Sequence, residues 1–225
     1  MILFGQTDSG PFVRWDWIFS HLDEVWDKVF EHLVLTFIAL SVGMAISLVL
    51  SVVALRFRRT YGPVTWMTGA LYTIPSLALF AFLVPITGFT VLTAEIGLVG
   101  YTLLILIRNT VAGIDGVPDD ITEAALAMGY DRRRMFWEIE LPLALPVIMA
   151  GLRIAAVTTV GLVTVTALIG QGGVGFFILR GLGRFFSTEI VLGTALSVIL
   201  AVAIDGALIA VERVLTPWAH RKAAT

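Results

Sequence analysis

Residues 33–55 read LVLTFIALSVGMAISLVLSVVAL, a run of 23 residues without a charged side chain. A helix needs about 20 apolar residues to cross the hydrocarbon core of a bilayer, so this run predicts a membrane-spanning helix. The whole chain agrees, with 58% hydrophobic and 14% charged residues and a mean hydropathy of +0.93. A soluble domain carries about 25% charged residues, so the sequence indicates an integral membrane protein and argues against a soluble enzyme or a disordered chain.

Composition also excludes several kinds of site. The 225 residues carry a formal net charge of −2, and this lack of basic excess argues against a nucleic-acid binder. The chain has no cysteine, which excludes disulfide frameworks, iron–sulfur clusters and cysteine-ligated zinc. His21, His32 and His220 are scattered near the termini, so we predict no metal site.

Four further apolar stretches predict four more spans, which makes five in total. Residues 61–94 contain no charge, but Pro75, Pro85 and Gly88 interrupt them. We therefore expect span two at residues 64–83, followed by a turn at Pro85-Ile86-Thr87-Gly88.

The last three spans are expected at residues 91–112, 147–169 and 190–211. Span three is the weakest, because its charge-free part must be extended past Glu95 or past Arg108 to reach spanning length. Helices buried in a soluble core are the alternative explanation for each stretch. Five such stretches in 225 residues disfavour that alternative.

Positive charge predicts the orientation of the bundle. One set of connections carries ten cations: Arg56, Arg58, Arg59, Arg108, Arg132, Arg133, Arg134, Arg213, Arg221 and Lys222. The opposite set carries four: Arg14, Lys28, Arg180 and Arg184. Cationic loops resist translocation, so the first set should be cytoplasmic, with the amino terminus outside and the carboxyl terminus inside the cell. We thus expect an extracytoplasmic segment at 1–29, a transmembrane domain at 30–213 and a cytoplasmic tail at 214–225.

The amino-terminal segment alternates aromatic and acidic side chains. Trp15, Trp17, Phe19 and Trp26 are interleaved with Asp16, Asp23, Glu24 and Asp27. Because indole rings settle at the membrane interface, this pattern predicts a short amphipathic helix on the outer surface. A disordered tail is the alternative. The segment does not read as a secretory signal, since its first cation is Arg14 and its long apolar run begins only at Leu33.

The long loop between spans three and four is more patterned than a simple connection requires. Residues 115–142 read DGVPDDITEAALAMGYDRRRMFWEIELP. Asp120 with Glu123 predicts a helix start, and Gly129 fits a left-handed helix end. Asp131 is expected to cap a second helix at residues 132–140, which Pro142 should end.

The predicted helix–glycine–helix loop should serve as a docking element. Ala124 and Ala125 permit close approach by another surface, and the helix dipole stabilises the carboxylate of Glu123. The loop also carries more apolar area than a free loop should expose, in Leu126, Met128, Met135, Phe136 and Trp137. A partner protein and the loop's own bundle are equally good candidates for the docking surface.

Several motifs of this sequence resemble those of a known family. Glu123-Ala124-Ala125, Gly129, Ile139 and Leu141-Pro142 stand at the spacing of the EAA loop of ABC-importer permeases. Four segments are similar, more narrowly, to the glycine betaine/carnitine/choline permeases: TIPSLAL at 73–79, RNT at 108–110, LPLALPVIMAG at 141–151 and IGQGGVG at 169–175.

The resemblance implies an all-α bundle of five transmembrane helices of the type I ABC-importer permease fold, with cytoplasmic coupling helices. It implies a second permease, which is a copy or a sibling, two ABC ATPase subunits and a solute-binding protein. The chain ends at Thr225, so we expect that receptor to be separate. Coupling to the ATPase is expected at Glu123, Ala124, Ala125, Leu126, Met128, Gly129, Ile139, Leu141 and Pro142.

The implied function is import of a small osmoprotectant such as glycine betaine, choline or carnitine, across the cell membrane and by alternating access. A permease for another solute, such as methionine or phosphonate, is the closest alternative, and an intramembrane enzyme is a more distant one. The sequence contains no Gly-x-x-x-x-Gly-Lys-[Ser/Thr] phosphate loop. We therefore expect no enzymatic activity and no cofactor in this chain, with ATP and Mg on the ATPase.

Several polar residues are candidates for the translocation path or for gating: Thr73, Pro75, Ser76, Asn109 and Gln171. A proline inside a span frees a backbone carbonyl, which suits either a path or simple helix packing. Gly170, Gly172 and Gly175 match a dinucleotide fingerprint in spacing, but the strand context is missing, so we expect only a bend there.

Asp205 is the one carboxylate well inside a predicted span, and Arg153 should lie towards the same side of the membrane. Intramembrane acids usually face a partner or a cavity. We expect Asp205 to form a structural pair or an interhelical hydrogen bond, for which Arg153 is a geometrically possible partner, with a role in solute or proton binding as the alternative.

Overall fold

Long helices dominate the fold because lipid offers no hydrogen-bond partner to a free backbone group. The computed structural model describes residues 11–220, and every regular element in that range is helical. The helices are α1 (Trp15–Ser20), α2 (Leu22–Arg56), α3 (Tyr61–Thr73), α4 (Ser76–Thr87), α5 (Val91–Asp115), α6 (Asp119–Ala127), α7 (Arg132–Met135), α8 (Leu141–Val165), α9 (Gly175–Arg184), α10 (Ser187–Leu215) and α11 (Pro217–His220).

The predicted all-α membrane fold is confirmed. Four helical segments are long and apolar enough to cross a membrane: Leu22–Arg56, Val91–Asp115, Arg132–Ile169 and Ser187–Leu215. Helices α3 and α4 together supply enough apolar length for a fifth crossing, but they are bent by 95° at the break between them. Span three extends in both directions allowed by the sequence, since α5 contains Glu95 as well as Arg108.

Helix α5 lies at the centre of the bundle, packed against α2, α3, α4 and α8. Small residues permit this close packing, as is usual for helices in membranes. A Cβ atom added to Gly97 would come within 2.4 Å of the Phe80 ring, and one added to Gly151 would come within 2.4 Å of the Asn109 side chain. Either substitution would therefore push two helices apart.

The bundle has two ends, which we name by the loop between α5 and α8. At the loop end, both guanidinium nitrogens of Arg58 donate to the Asp115 carboxylate at 2.7 and 2.6 Å. This bond joins the end of α2 to the end of α5, so these two helices run in parallel. Helix α8 runs the other way, because Gly113 near the end of α5 packs against Ala144 near the start of α8.

Span two is broken inside its predicted range, and it ends four residues later than predicted. The chain breaks at Ile74-Pro75, where Ile74 is extended at φ −65° and ψ 126°, and helix α4 then continues through Pro85 to Thr87. Proline disfavours helical geometry in the residue before it, which accounts for the break. The Tyr101 hydroxyl donates to the freed carbonyl of Ile74.

Two other expectations need correction. Pro142 does not end a helix, because residues 132–169 are helical throughout, with a π-helical turn at Phe136–Glu140 just before the proline. The wide turn changes the hydrogen-bond register at the point where proline removes a donor. The aromatic and acidic residues of the amino-terminal segment also do not form one short helix. Trp15–Ser20 forms a separate helix, and Trp26 already belongs to α2.

Candidate functional site

The loop that joins α5 to α8 begins with a short exposed helix. Pro118 is extended at φ −60° and ψ 136°, and α6 starts directly after it. No side chain caps this helix, so the predicted capping role of Asp120 is wrong. Asp119 and Asp120 instead lie in the first turn, where the helix dipole favours negative charge.

Gly129 ends α6 in the left-handed conformation that the sequence predicts, with φ +84°. The amide of Tyr130 donates to the carbonyl of Ala125, and the amide of Gly129 donates to that of Leu126, both at 3.0 Å. These two bonds form a Schellman motif, which reverses the chain sharply after the helix. A Cβ atom added to residue 129 would meet no atom within 4 Å, so the backbone conformation is what requires glycine.

The second half of the loop is anchored to this turn. Asp131 caps α7 as predicted, since its carboxylate accepts the amide of Arg134 at 2.7 Å. The Arg134 guanidinium stacks over the Tyr130 ring at 4.4 Å and pairs with Glu138 at 3.0 Å. These contacts hold α7 at a defined angle to the glycine turn.

Helix α6 has one face towards its own chain and one face free. Ala125 is fully buried, whereas Glu123 and Ala124 are exposed. Leu126 is 54% exposed and Met128 is 70% exposed, as apolar side chains at the same end of the helix. Ala125 therefore packs within the chain, whereas Met128 presents apolar area outwards.

The remaining predicted coupling residues lie further along the same loop. Ile139, Leu141 and Pro142 are half-buried in the π-helical turn and the first turn of α8. They therefore lie at the base of the loop, whereas the exposed coupling residues lie on α6. The nine predicted coupling residues thus fall into two groups, six on or directly after α6 and three where the loop joins α8.

An open cleft of about 800 Å³ lies behind α6, at the loop end of the bundle. It is lined by the end of α2, the end of α5 and both halves of the loop: Val52, Leu55, Arg56, Arg58, Ile114, Asp115, Val117, Asp119, Thr122, Leu126, Arg132, Met135, Phe136, Trp137 and Glu140. The cleft separates most of the loop from the helices, so α6 projects from the bundle.

The predicted path residues do not form one site. Asn109 packs against Gly151 near the loop end, and its amide donates to the carbonyl of Ile105 at 2.8 Å. Gln171 follows the far end of α8, and the 18 residues from Gly151 to Ile169 span about 27 Å at 1.5 Å each. Asn109 and Gln171 therefore lie at opposite ends of the bundle.

The other three path candidates surround the break between α3 and α4. Thr73 donates its hydroxyl to the carbonyl of Ala70 at 2.7 Å, Pro75 precedes α4 and Ser76 begins it. Their hydrogen bonds are local to the bend. The arrangement makes this segment a point where the chain changes direction inside the apolar stretch.

Arg153 and Asp205 are brought together as the sequence suggests. The guanidinium donates to both carboxylate oxygens of Asp205, at 2.7 and 3.1 Å, and lies 3.6 Å from Glu212. One arginine on α8 thus contacts two acids on α10. The sequence did not indicate the contribution of Glu212, which lies two turns beyond Asp205.

The sequence does not predict a further contact, which lies at the end of the bundle opposite the loop. The Glu31 carboxylate accepts the amides of Gly172 and Gly173 at 2.9 and 3.2 Å, and it pairs with Lys28 at 2.6 Å. Gly173 has φ +48° and packs on the backbone of His32. The glycine run was a signal for such a turn, but its partner lies 141 residues away in the sequence.

Known proteins are similar to this chain in sequence and in architecture. Residues 47–219 match the family model described as binding-protein-dependent transport system inner membrane component. A choline transport system permease protein of Bacillus subtilis is 37% identical over 84% of this chain and 88% of its own length. A glycine betaine/carnitine/choline transport system permease protein of the same organism is 35% identical over 96% and 94%.

A third relative is the carnitine transport permease protein of Listeria monocytogenes, at 35% identity over 87% of this chain and 90% of its own length. Among solved structures, a chain of a methionine ABC transporter in an inward-facing conformation superposes with a TM-score of 0.76. The match covers 88% of this chain and 98% of that chain at 22% identity, which is evidence for a shared fold.

Proposed function

The chain belongs to the family of binding-protein-dependent transport system inner membrane components, and from this we propose that it is the permease of an ATP-driven osmoprotectant importer. The proposed solutes are glycine betaine, choline and carnitine, because the similar permeases are named for them. The observation that carries the coupling role is α6, an exposed helix ended by the left-handed Gly129.

The proposed complex contains two permeases, two ABC ATPases and a separate solute-binding protein. The loop end of the bundle faces the cytoplasm, the amino terminus faces outwards, and ATP with Mg is bound by the ATPase subunits. The excess of arginine at the loop end supports this orientation. This chain contributes the pathway and the coupling element, without chemistry of its own.

In the proposed mechanism, the ATPase holds α6 through its exposed face, including Glu123, Ala124 and Met128. Closure of the ATPase pair then moves the loop. The movement reaches the bundle through residues 132–169, which are helical throughout and pass directly from the loop into the membrane. Arg153 carries it onwards from α8 to α10 through Asp205 and Glu212.

The test is ATP-driven uptake by the reconstituted complex. Proteoliposomes containing this permease, its ATPase and its receptor should accumulate labelled glycine betaine, choline or carnitine when ATP is supplied to the ATPase. Uptake that persists without the ATPase, or accumulation of methionine in place of all three solutes, would contradict the proposal.

A further inference from the structure

The end of the bundle opposite the loop holds a cation within acids and aromatic rings. The Arg180 guanidinium donates to both carboxylate oxygens of Glu24, at 2.6 and 3.0 Å, and its Nε lies 2.9 Å from Glu189. It also lies over the rings of Phe176, Phe177 and Trp17, at 4.6, 5.4 and 5.8 Å from their centroids. We call the group the Arg180 cluster: Trp17, Glu24, Phe176, Phe177, Arg180 and Glu189.

The cluster has one more negative charge than positive. Glu189 is 1% exposed, and its Oε2 has no hydrogen-bond partner within residues 11–220. Lys28 approaches the Phe176 ring at 4.9 Å, but its charge is matched by Glu31 at 2.6 Å. A buried carboxylate oxygen without a partner is costly, so the cluster holds a negative charge that a further cationic group would stabilise.

Aromatic faces together with carboxylates form the environment that quaternary ammonium ligands favour, because the rings attract a cation without needing a hydrogen bond from it. The cluster supplies such faces in Trp17, Phe176 and Phe177, and the proposed solutes all carry a quaternary ammonium group. An arginine already occupies the position, on a long side chain that reaches in from α9.

We propose that the Arg180 cluster binds the quaternary ammonium group of the solute. Arg180 is then a tethered occupant, that is, a cation of the chain itself that fills the site until the solute displaces it. This inference rests on the proposed function, because it takes its ligand from the proposed solute class. The guanidinium fills the position over Trp17, Phe176 and Phe177, so the solute can occupy that position only after the guanidinium has left it. The returning guanidinium then favours release of the solute.

A purely structural role is the competing explanation, in which Arg180 only fastens α9 to α2 and α10. The two explanations differ in what happens when the guanidinium is removed. A fastening role predicts a weakened protein with no new affinity. A tethered occupant predicts a vacated site that binds a free quaternary amine more tightly than the wild type does.

The experiment uses the purified permease–ATPase complex without its receptor, titrated with tetramethylammonium chloride by calorimetry against a sodium chloride control. Arg180→Met removes the charge and retains most of the side-chain volume. We expect it to bind tetramethylammonium about tenfold more tightly than the wild type. Arg180→Lys keeps a tethered cation and should stay weak, and the double variant Arg180→Met, Glu189→Gln should lose the gain.

Arg184→Met is the matched control, because Arg184 is exposed and makes no ion pair within residues 11–220. It should bind as the wild type does. If Arg180→Met is folded and gains no affinity, the inference is overturned. If Arg180→Met does not assemble, the variant Phe176→Leu is tested instead. We expect its KM for glycine betaine uptake to rise severalfold at unchanged kcat. An unchanged KM would then overturn the inference.

The inference and the proposed function fail in different ways. A wild-type importer that carries a quaternary amine while Arg180→Met gains no affinity overturns only the role of the cluster. An importer that carries no quaternary amine overturns the proposed function, and the solute as occupant with it, whatever the variant binds.

Discussion

Replacing Gly129 by alanine isolates the backbone requirement of the coupling loop. The residue has φ +84°, and an added Cβ meets no atom within 4 Å, so alanine introduces strain without a steric clash. An L-residue in the left-handed region costs about 1–2 kcal/mol relative to glycine. That cost lowers the equilibrium constant between the native turn and other conformations by a factor of about 5–30.

We expect ATP-driven uptake by Gly129→Ala in proteoliposomes to fall, by that factor at most, because the Schellman turn sets the direction of α6 relative to α7. Gly129→Asn should be milder, since asparagine tolerates the left-handed region better than alanine. Gly183→Ala is the matched control, because Gly183 also has open space around its Cα but no positive φ. Wild-type uptake by a normally assembled Gly129→Ala complex would refute the reasoning.

Three further predictions concern other contacts. Glu123→Ala should weaken capture of the ATPase by the tagged permease while its melting temperature stays unchanged, and undiminished capture would contradict the docking role. Asp205→Asn should lower the melting temperature, because Arg153 loses its bidentate partner. Adding Arg153→Met should recover part of the loss. A double variant less stable than Asp205→Asn alone would argue against the pair. Tyr101→Phe removes the donor to the Ile74 carbonyl, at a cost of about 1 kcal/mol or about 2–4 °C in melting temperature, whereas Tyr61→Phe should have no comparable effect.

The features that sequence predicts well are local in origin. The charge-free run at residues 33–55 indicates a span because bilayer thickness sets its length. Gly129 and Asp131 indicate a helix end and a helix start because their backbone and side-chain chemistry act within a few residues. The all-helical fold, the end of α6 and the start of α7 follow from such signals.

The features that sequence does not predict depend on distant partners. Two prolines interrupt the second apolar stretch, and only the structure shows that Pro75 breaks the helix whereas Pro85 remains inside α4. The choice depends partly on the hydroxyl of Tyr101, which lies 27 residues from its acceptor. The bond between Arg180 and Glu24 joins residues 156 apart, so no local pattern reveals it.

The uninterrupted helical path over Arg132–Ile169 has a mechanical consequence. Its 38 residues extend about 57 Å, which makes the segment a lever arm rather than a simple connection. A tilt of about 5° at the loop therefore displaces the far tip, next to the glycine turn held by Glu31, by about 5 Å. The π-helical turn at Phe136–Glu140 departs from regular α-helical hydrogen bonding, so a bend at this point would reduce the displacement that reaches the far tip.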